Sequence, residues 1–273
     1  MPAPEPQRPG RPVHYEVLAI RYGRLRAPKS ELFYRYSSYR EADAEVEMAF
    51  YFWVLRAGDE TLLVDCGFDP AAAARRGREC LIPPLEALSR AGIEPEAVST
   101  IIVTHLHYDH IGNLAAFPHA GLIVGRRELE FWTSPAARRF QFAVHVEEEE
   151  IERVNQAHRD GRVRLTDGAE EILDGITVHT VGGHSPGQQV CSIATAGGSV
   201  VLASDAVHFY EEFELGRPFS TIADLAQMYE AYDLLTELAA GPGAVMVPGH
   251  DPAVLDRFPA LDPECAGVVA RVA

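Results

Sequence analysis

The chain has 273 residues, with 24 Lys and Arg against 40 Asp and Glu, and a formal charge of −16 at pH 7. That balance argues against a nucleic-acid partner, which calls for clustered cations. Hydrophobic residues make up 47% and charged residues 23%, a globular balance, and no apolar run reaches the ~18 residues of a membrane span.

Met1 to Pro12 is proline-rich and lacks an apolar centre. It reads as a flexible N-terminal tail (1–12) and not as a signal peptide. Residues 13–273 read as one domain. Val13 to Tyr22 has the pattern of a first strand. Ala49 to Leu55 and Thr61 to Asp65 read as a hairpin around Gly58 and Asp59. Pro83 to Ala91 predicts a short amphipathic helix, with Gly92 just past its end. Thr100 to Val103 and Gly121 to Val124 are apolar strands, and Arg126 to Trp132 is a helix. Between 140 and 160, the run Glu147 to Glu150 precedes Ile151, Val154 and Ala157 at helical spacing. The charge run is expected to be a solvated helix face. Segment 126–166 has the place and length of a helical insertion over a site. Strands are expected at 176–181, 188–195 and 199–204. Thr221 to Ala240 repeats apolar residues at three or four positions and predicts a long helix. A last strand, Val245 to Gly249, precedes His250. Cys66, Cys80, Cys191 and Cys265 form no Cys-x-x-Cys pair and read as reduced thiols of a cytoplasmic protein. Strand clusters with helices between them give a mixed α/β class.

The chemistry is concentrated in Thr104-His105-Leu106-His107-Tyr108-Asp109-His110, directly after an apolar strand. His105, His107 and Asp109 share one side of an extended chain, and His110 can turn toward a second ion. One tetrahedral ion takes about four ligands, so this run can begin two sites. His184, Asp205 and His250 follow, each at the C-terminal lip of a strand. Any one alone would be an ordinary loop residue. Together the strand ends point to a metal centre, and the lack of a thiolate among them argues against a closed structural zinc site.

His-x-His-x-Asp-His, a later Gly-His, a later Asp and a final Gly-His resemble the metallo-β-lactamase superfamily of metallohydrolases, from about Phe50 to Asp251. Leu62-Leu63-Val64-Asp65-Cys66-Gly67 matches the strand ahead of the motif. The resemblance implies a four-layer αββα sandwich. It also implies that His105, His107 and His184 hold one ion, Asp109, His110 and His250 a second, and Asp205 both. The cofactors would be two divalent metal ions, zinc first, with iron, manganese or cobalt as alternatives. A metal-bridging hydroxide would attack a carbonyl carbon, with Asp109 sharing its protons. Asp65 would steady a ligand imidazole; its alternative is a turn residue.

In layout the chain is similar to the N-acyl-homoserine lactonase group, which implies quorum quenching by opening a γ-lactone. A small-molecule lactone or ester substrate and a homodimer follow from that likeness, beside the expectation from charge and apolar runs of no nucleic acid and no membrane. The alternatives are a thioesterase or other cyclic ester or amide hydrolase, a mononuclear-iron persulfide dioxygenase, and a non-catalytic metal-binding sensor. One departure stands out. The lactonases commonly carry Tyr three residues after the bridging Asp, and here that residue is His208. His208 is a candidate catalytic and substrate-binding residue, with Tyr210 as the other source of a donor. Phe209 is a candidate substrate contact, and Phe140, Phe142, Phe213 and Phe219 are apolar side chains that either line an acyl pocket or pack the core.

Overall fold

The computed structural model describes residues 13–273, so the expected tail at 1–12 lies outside the described residues. In chain order the first half contains β1 (Glu16–Pro28), α1 (Lys29–Leu32), β2 (Glu45–Ala57), β3 (Glu60–Val64), α2 (Pro70–Arg75), β4 (Glu79–Cys80), α3 (Pro84–Arg90) and β5 (Val98–Val103). Then come α4 (Tyr108–Ile111), β6 (Gly121–Gly125), α5 (Arg126–Trp132), α6 (Phe140–Ala143), α7 (Glu148–Arg159) and β7 (Val163–Thr166). The rest is β8 (Ala169–Leu173), β9 (Ile176–Thr180), β10 (Gln189–Thr195), β11 (Gly198–Ser204), α8 (Tyr210–Leu215), α9 (Leu225–Ala239), β12 (Val245–Pro248), α10 (Ala253–Arg257) and β13 (Val269–Arg271).

Two sheets result. The first runs β13-β1-β2-β3-β5-β6-β7, with β4 paired to β1; the second runs β12-β11-β10-β9-β8. Alternation along the strands sorts the core into three layers. Tyr51, Trp53, Leu55, Leu62 and Val64 of the first sheet meet Val178, Cys191, Ile193, Val200 and Leu202 of the second. The opposite face of the first sheet, including Phe50, Phe52, Leu63, Ile101 and Val103, buries Leu88, Leu129, Trp132, Ile151 and Val154 from helices. The outer face of the second sheet, Val190, Val201 and Ala203, covers Met228, Ala231, Tyr232 and Leu235 of α9. Helices outside both sheets make the four-layer αββα sandwich. No helix among the described residues is long and apolar enough to cross a membrane.

Several elements differ from the sequence expectation for local reasons. β1 begins at Glu16 and runs six residues beyond Tyr22, because β2 pairs with it as far as Pro28↔Glu45. α9 starts at Leu225 and not at Thr221, since the Asp224 side chain caps it by accepting from Ala226 N and Gln227 N. Val163–Thr166, the end of the expected insertion, is a strand paired in parallel with β6. Residues 133–147 carry only short helical turns. They are fastened to the body by Arg75 and Arg76, which pair with Glu147, and by Tyr108 N donating to His145 O at 2.9 Å.

Candidate metal centre

The parallel strands β3, β5 and β6 all end at the same edge, and so do β11 and β12 of the second sheet. This edge collects the candidate ligands. His105 and His107 follow β5, and Asp109 and His110 lie in the single turn of α4. His184 follows β9, Asp205 follows β11, and His250 follows β12. Gly249 lets the last two approach: a Cβ there would sit 2.7 Å from Ser204 O and 3.0 Å from Asp205 Oδ1. Asp65 (φ 61) and Ser204 (φ 44) both take the left-handed conformation at strand ends. Non-glycine residues pay about 1–2 kcal/mol for it, and at Ser204 it turns the next residue, Asp205, into the site.

All seven candidates are buried, from His105 at 0% exposed to Asp109 at 7%. His105, His107 and His184 have ligand atoms within 4.8 Å of one another, as do Asp109, His110 and His250. His107 Nδ1 lies 3.1 Å from His105 Nε2 and 2.9 Å from His184 Nε2. Asp205 stands between the groups. Its Oδ1 is 3.0 Å from His250 Nε2 and 3.3 Å from His110 Nε2; its Oδ2 is 3.4 Å from His184 Nε2 and 3.9 Å from His105 Nε2.

Partners on the far side of each ring fix the tautomers. His184 Nδ1 donates to Thr221 O at 3.0 Å and His250 Nδ1 to Ala49 O at 2.8 Å. His110 Nδ1 donates to Asp65 Oδ2 at 2.7 Å. Thr104 Oγ1 donates to the same oxygen at 2.8 Å, which leaves its lone pairs for His105 Nδ1 at 3.1 Å and Ser204 Oγ at 2.9 Å. The Nε2 lone pairs of His105, His110, His184 and His250 therefore face one another and a carboxylate, an arrangement of acceptors without donors. Such a set is relieved by cations or by protons. Burial holds His105, His107 and His184 well below the usual histidine range, so these rings are neutral. Burial opposes charge on His110 too, but Asp205, Asp65 and Asp109 outweigh it and raise that ring well above its usual value. His110 is thus the ring that takes a proton where no cation stands, and with that proton displaced the imidazoles and carboxylates fit two divalent ions.

His208 is fully buried beside this group, its Nε2 3.1 Å from Asp205 Oδ2 and its Nδ1 3.3 Å from Glu212 Oε2. Neither ring nitrogen has an aligned hydrogen-bond partner. Its ring stacks on Phe219 with centroids 3.7 Å apart. Tyr210, the other candidate donor, is buried. Its ring lies under the Arg257 guanidinium, 3.4 Å from the centroid, among residues of the inter-sheet core. The cause is Asp251, whose carboxylate accepts from Tyr210 N at 2.8 Å and starts α8 in that direction. Phe209 packs on Phe33, centroids 5.6 Å apart, as part of the core. Phe140 is 76% exposed, whereas Phe142 meets Phe131. Three polar residues were not read from the sequence. The His145 ring stands 5.1 Å from that of His107. The Glu212 carboxylate accepts from His208 N and Phe219 N. The Gln188 side-chain amide faces Asp205 N and Ala206 N, and with its oxygen turned toward them it accepts from both. None lies in a motif; a Glu four residues after His208, at the start of a helix, was the one available signal.

A family model described as the metallo-beta-lactamase superfamily matches residues 51–250. The chain belongs to the metallo-β-lactamase superfamily. The N-acyl homoserine lactonase AiiA of Bacillus thuringiensis subsp. kurstaki is 28% identical over 214 residues, 73% of this chain and 80% of that protein. The N-acyl homoserine lactonase of Bacillus cereus is 30% identical over 165 residues, 60% of each chain. A crystal structure of a quorum-quenching N-acyl homoserine lactone lactonase superposes with a TM-score of 0.72 at 26% identity, covering 88% of this chain and 93% of that one.

Proposed function

We propose that this metallo-β-lactamase superfamily member is a metal-dependent hydrolase that opens the ring of an N-acyl homoserine lactone or a similar γ-lactone. The observation that carries the reading is the position of Asp205, whose two oxygens face two separate groups of imidazoles. His105, His107 and His184 would hold one ion, Asp109, His110 and His250 the other, and Asp205 both. Divalent cations there supply a water activated at neutral pH and a Lewis acid for the carbonyl oxygen. Asp65 fixes the His110 ring, and Asp109 borders the site as the carboxylate able to take a proton. His208, with an uncommitted Nε2 beside Asp205, is the side chain we assign to the substrate's carbonyl or leaving oxygen, in the place of the lactonases' Tyr.

Relatives named as N-acyl homoserine lactonases support the substrate class. We further propose zinc as the ion, because imidazole and carboxylate ligands suit it and one structure with this fold is of a dizinc quorum-quenching lactonase. A reducing, cytoplasmic setting fits the four free cysteines, and the homodimer rests on the resemblance alone. The test is proton release from N-acyl homoserine lactones of short and long acyl chain, simple γ-lactones and a panel of thioesters. Faster turnover of lactones supports the reading. A preference for thioesters, or oxygen consumption with a single iron, overturns it.

A further inference from the structure

One buried carboxylate stands outside the reaction described so far. Glu128 lies in the first turn of α5, just after β6, and is 1% exposed. Its Oε1 accepts from Leu106 N at 2.9 Å, from Trp132 Nε1 at 2.6 Å and from Ser185 Oγ at 2.5 Å. Its Oε2 accepts from Gly187 N at 2.8 Å. These donors have a common geography. Leu106 sits between His105 and His107, and Ser185 follows His184 directly. One carboxylate therefore grips both loops that carry the three imidazoles of the first ion. The backbone is drawn in as well: a Cβ on Gly187 would sit 2.0 Å from Glu128 N.

A carboxylate is an acceptor only, with about four lone-pair sites, and here it meets four donors. An amide of the same shape would turn an NH2 group toward at least one of them. The two loops come from different sheets, β5 of the first and β9 of the second. Gln189 also ties the two segments, its N donating to Thr104 O at 2.9 Å and its Nε2 to Val103 O at 3.2 Å, but these bonds lie behind the ligand residues, whereas Glu128 holds Leu106 and Ser185 beside them.

We propose that Glu128 is a positioning residue for the His105/His107/His184 cation site, a strut that sets the separation of the two ligand loops. The inference rests on the dinuclear reading above. Trp132 provides the internal control. It gives Glu128 a hydrogen bond from the same helix, and its ring packs on His107 with centroids 5.6 Å apart, an aromatic contact that Phe keeps while losing the Nε1–H donor. Ser185 gives a hydrogen bond too, and does join a ligand loop.

The experiment strips the full-length protein with a chelator and titrates it with zinc against a chromophoric competitor, then with cobalt while recording the visible spectrum. Wild type should take up two ions. Glu128→Gln should weaken one equivalent by about tenfold or more, the range found for partners of metal ligands. The second equivalent should bind as in wild type, and the cobalt bands of one ion alone should move. Ser185→Ala should shift the same equivalent in the same direction by less, and it keeps the test open if Glu128→Gln does not fold. Trp132→Phe should leave both affinities within twofold. Wild-type affinities and spectra in Glu128→Gln or Ser185→Ala overturn the inference, as does a loss in Trp132→Phe equal to that in Ser185→Ala. A wild-type protein that takes up fewer than two ions overturns both this inference and the dinuclear reading, whereas two ions with unresponsive variants overturn this inference alone.

Discussion

Nδ1 of His110 lies 2.7 Å from Oδ2 of Asp65, and this contact decides which nitrogen of the ring faces the site. Asp65→Asn keeps the left-handed backbone, which Asn tolerates. It places an NH2 group among His110 Nδ1 and Thr104 Oγ1, so the ring is driven to carry its proton on Nε2. Affinity for the ion at Asp109, His110 and His250 should fall about 10- to 100-fold, measured by competition with a chelator of known affinity. Unchanged affinity would remove Asp65 from the site.

Asp205→Asn should lose metal and turnover together. The carboxylate is 3% exposed and faces the Nε2 atoms of His250, His110, His184 and His105. An amide gives up both its charge and one of its acceptor atoms. kcat/KM should drop by at least about 100-fold, with fewer than two ions per chain by elemental analysis. Two ions bound at full affinity would refute the bridging assignment.

His208→Ala should separate chemistry from metal binding. With substrate contact as its role, both ions stay and kcat/KM falls about 100-fold, a typical size for a positioned proton donor. Loss of one ion would instead make His208 a ligand, in keeping with its place beside His184 and Asp205. An unchanged kcat/KM would leave it no part in the reaction.

Glu150, on α7, gives a pH dependence through a carboxylate that is not among the candidate ligands. Burial is the main cause that raises its carboxyl to about 7, against the pull of Arg153. Its folded pKa is thus above that of the unfolded chain, near 4.3. Between those values the native state holds the extra proton, so stability falls as pH rises toward 7 and is lowest above it. Glu150→Gln should raise the melting temperature at pH 8 by about 1–3 °C and change it less at pH 5. Equal shifts at the two pH values would show that titration is not the cause.

Much of the candidate site was legible because its candidate ligands sit in short motifs at strand ends. A strand needs only five or so apolar residues to announce itself, as Val98–Val103 does, and the residue after it falls at the sheet edge. The helix Arg126–Trp132 was also readable to its ends. The edge strands Val163–Thr166 and Ala169–Leu173 were not, since exposed Arg164 and Glu171 and half-buried Glu170 break their apolar alternation. The direction of Tyr210 was not legible either, because two residues of separation from His208 say nothing of it once Asp251 has set the start of α8. Glu128 was missed for a related reason. Its partners are 22, 57 and 59 residues away or on its own helix, and no local pattern records them.

The first sheet contributes His105, His107, Asp109 and His110, and the second contributes His184, Asp205 and His250. The centre is therefore a bolt through two plates, and its thread matches only when both plates are seated. A slip of one residue in β5 or β11 would turn a ligand to the opposite face and leave the hole unfilled. Counting ions per chain in a preparation thus also counts the fraction of molecules whose halves have been joined correctly.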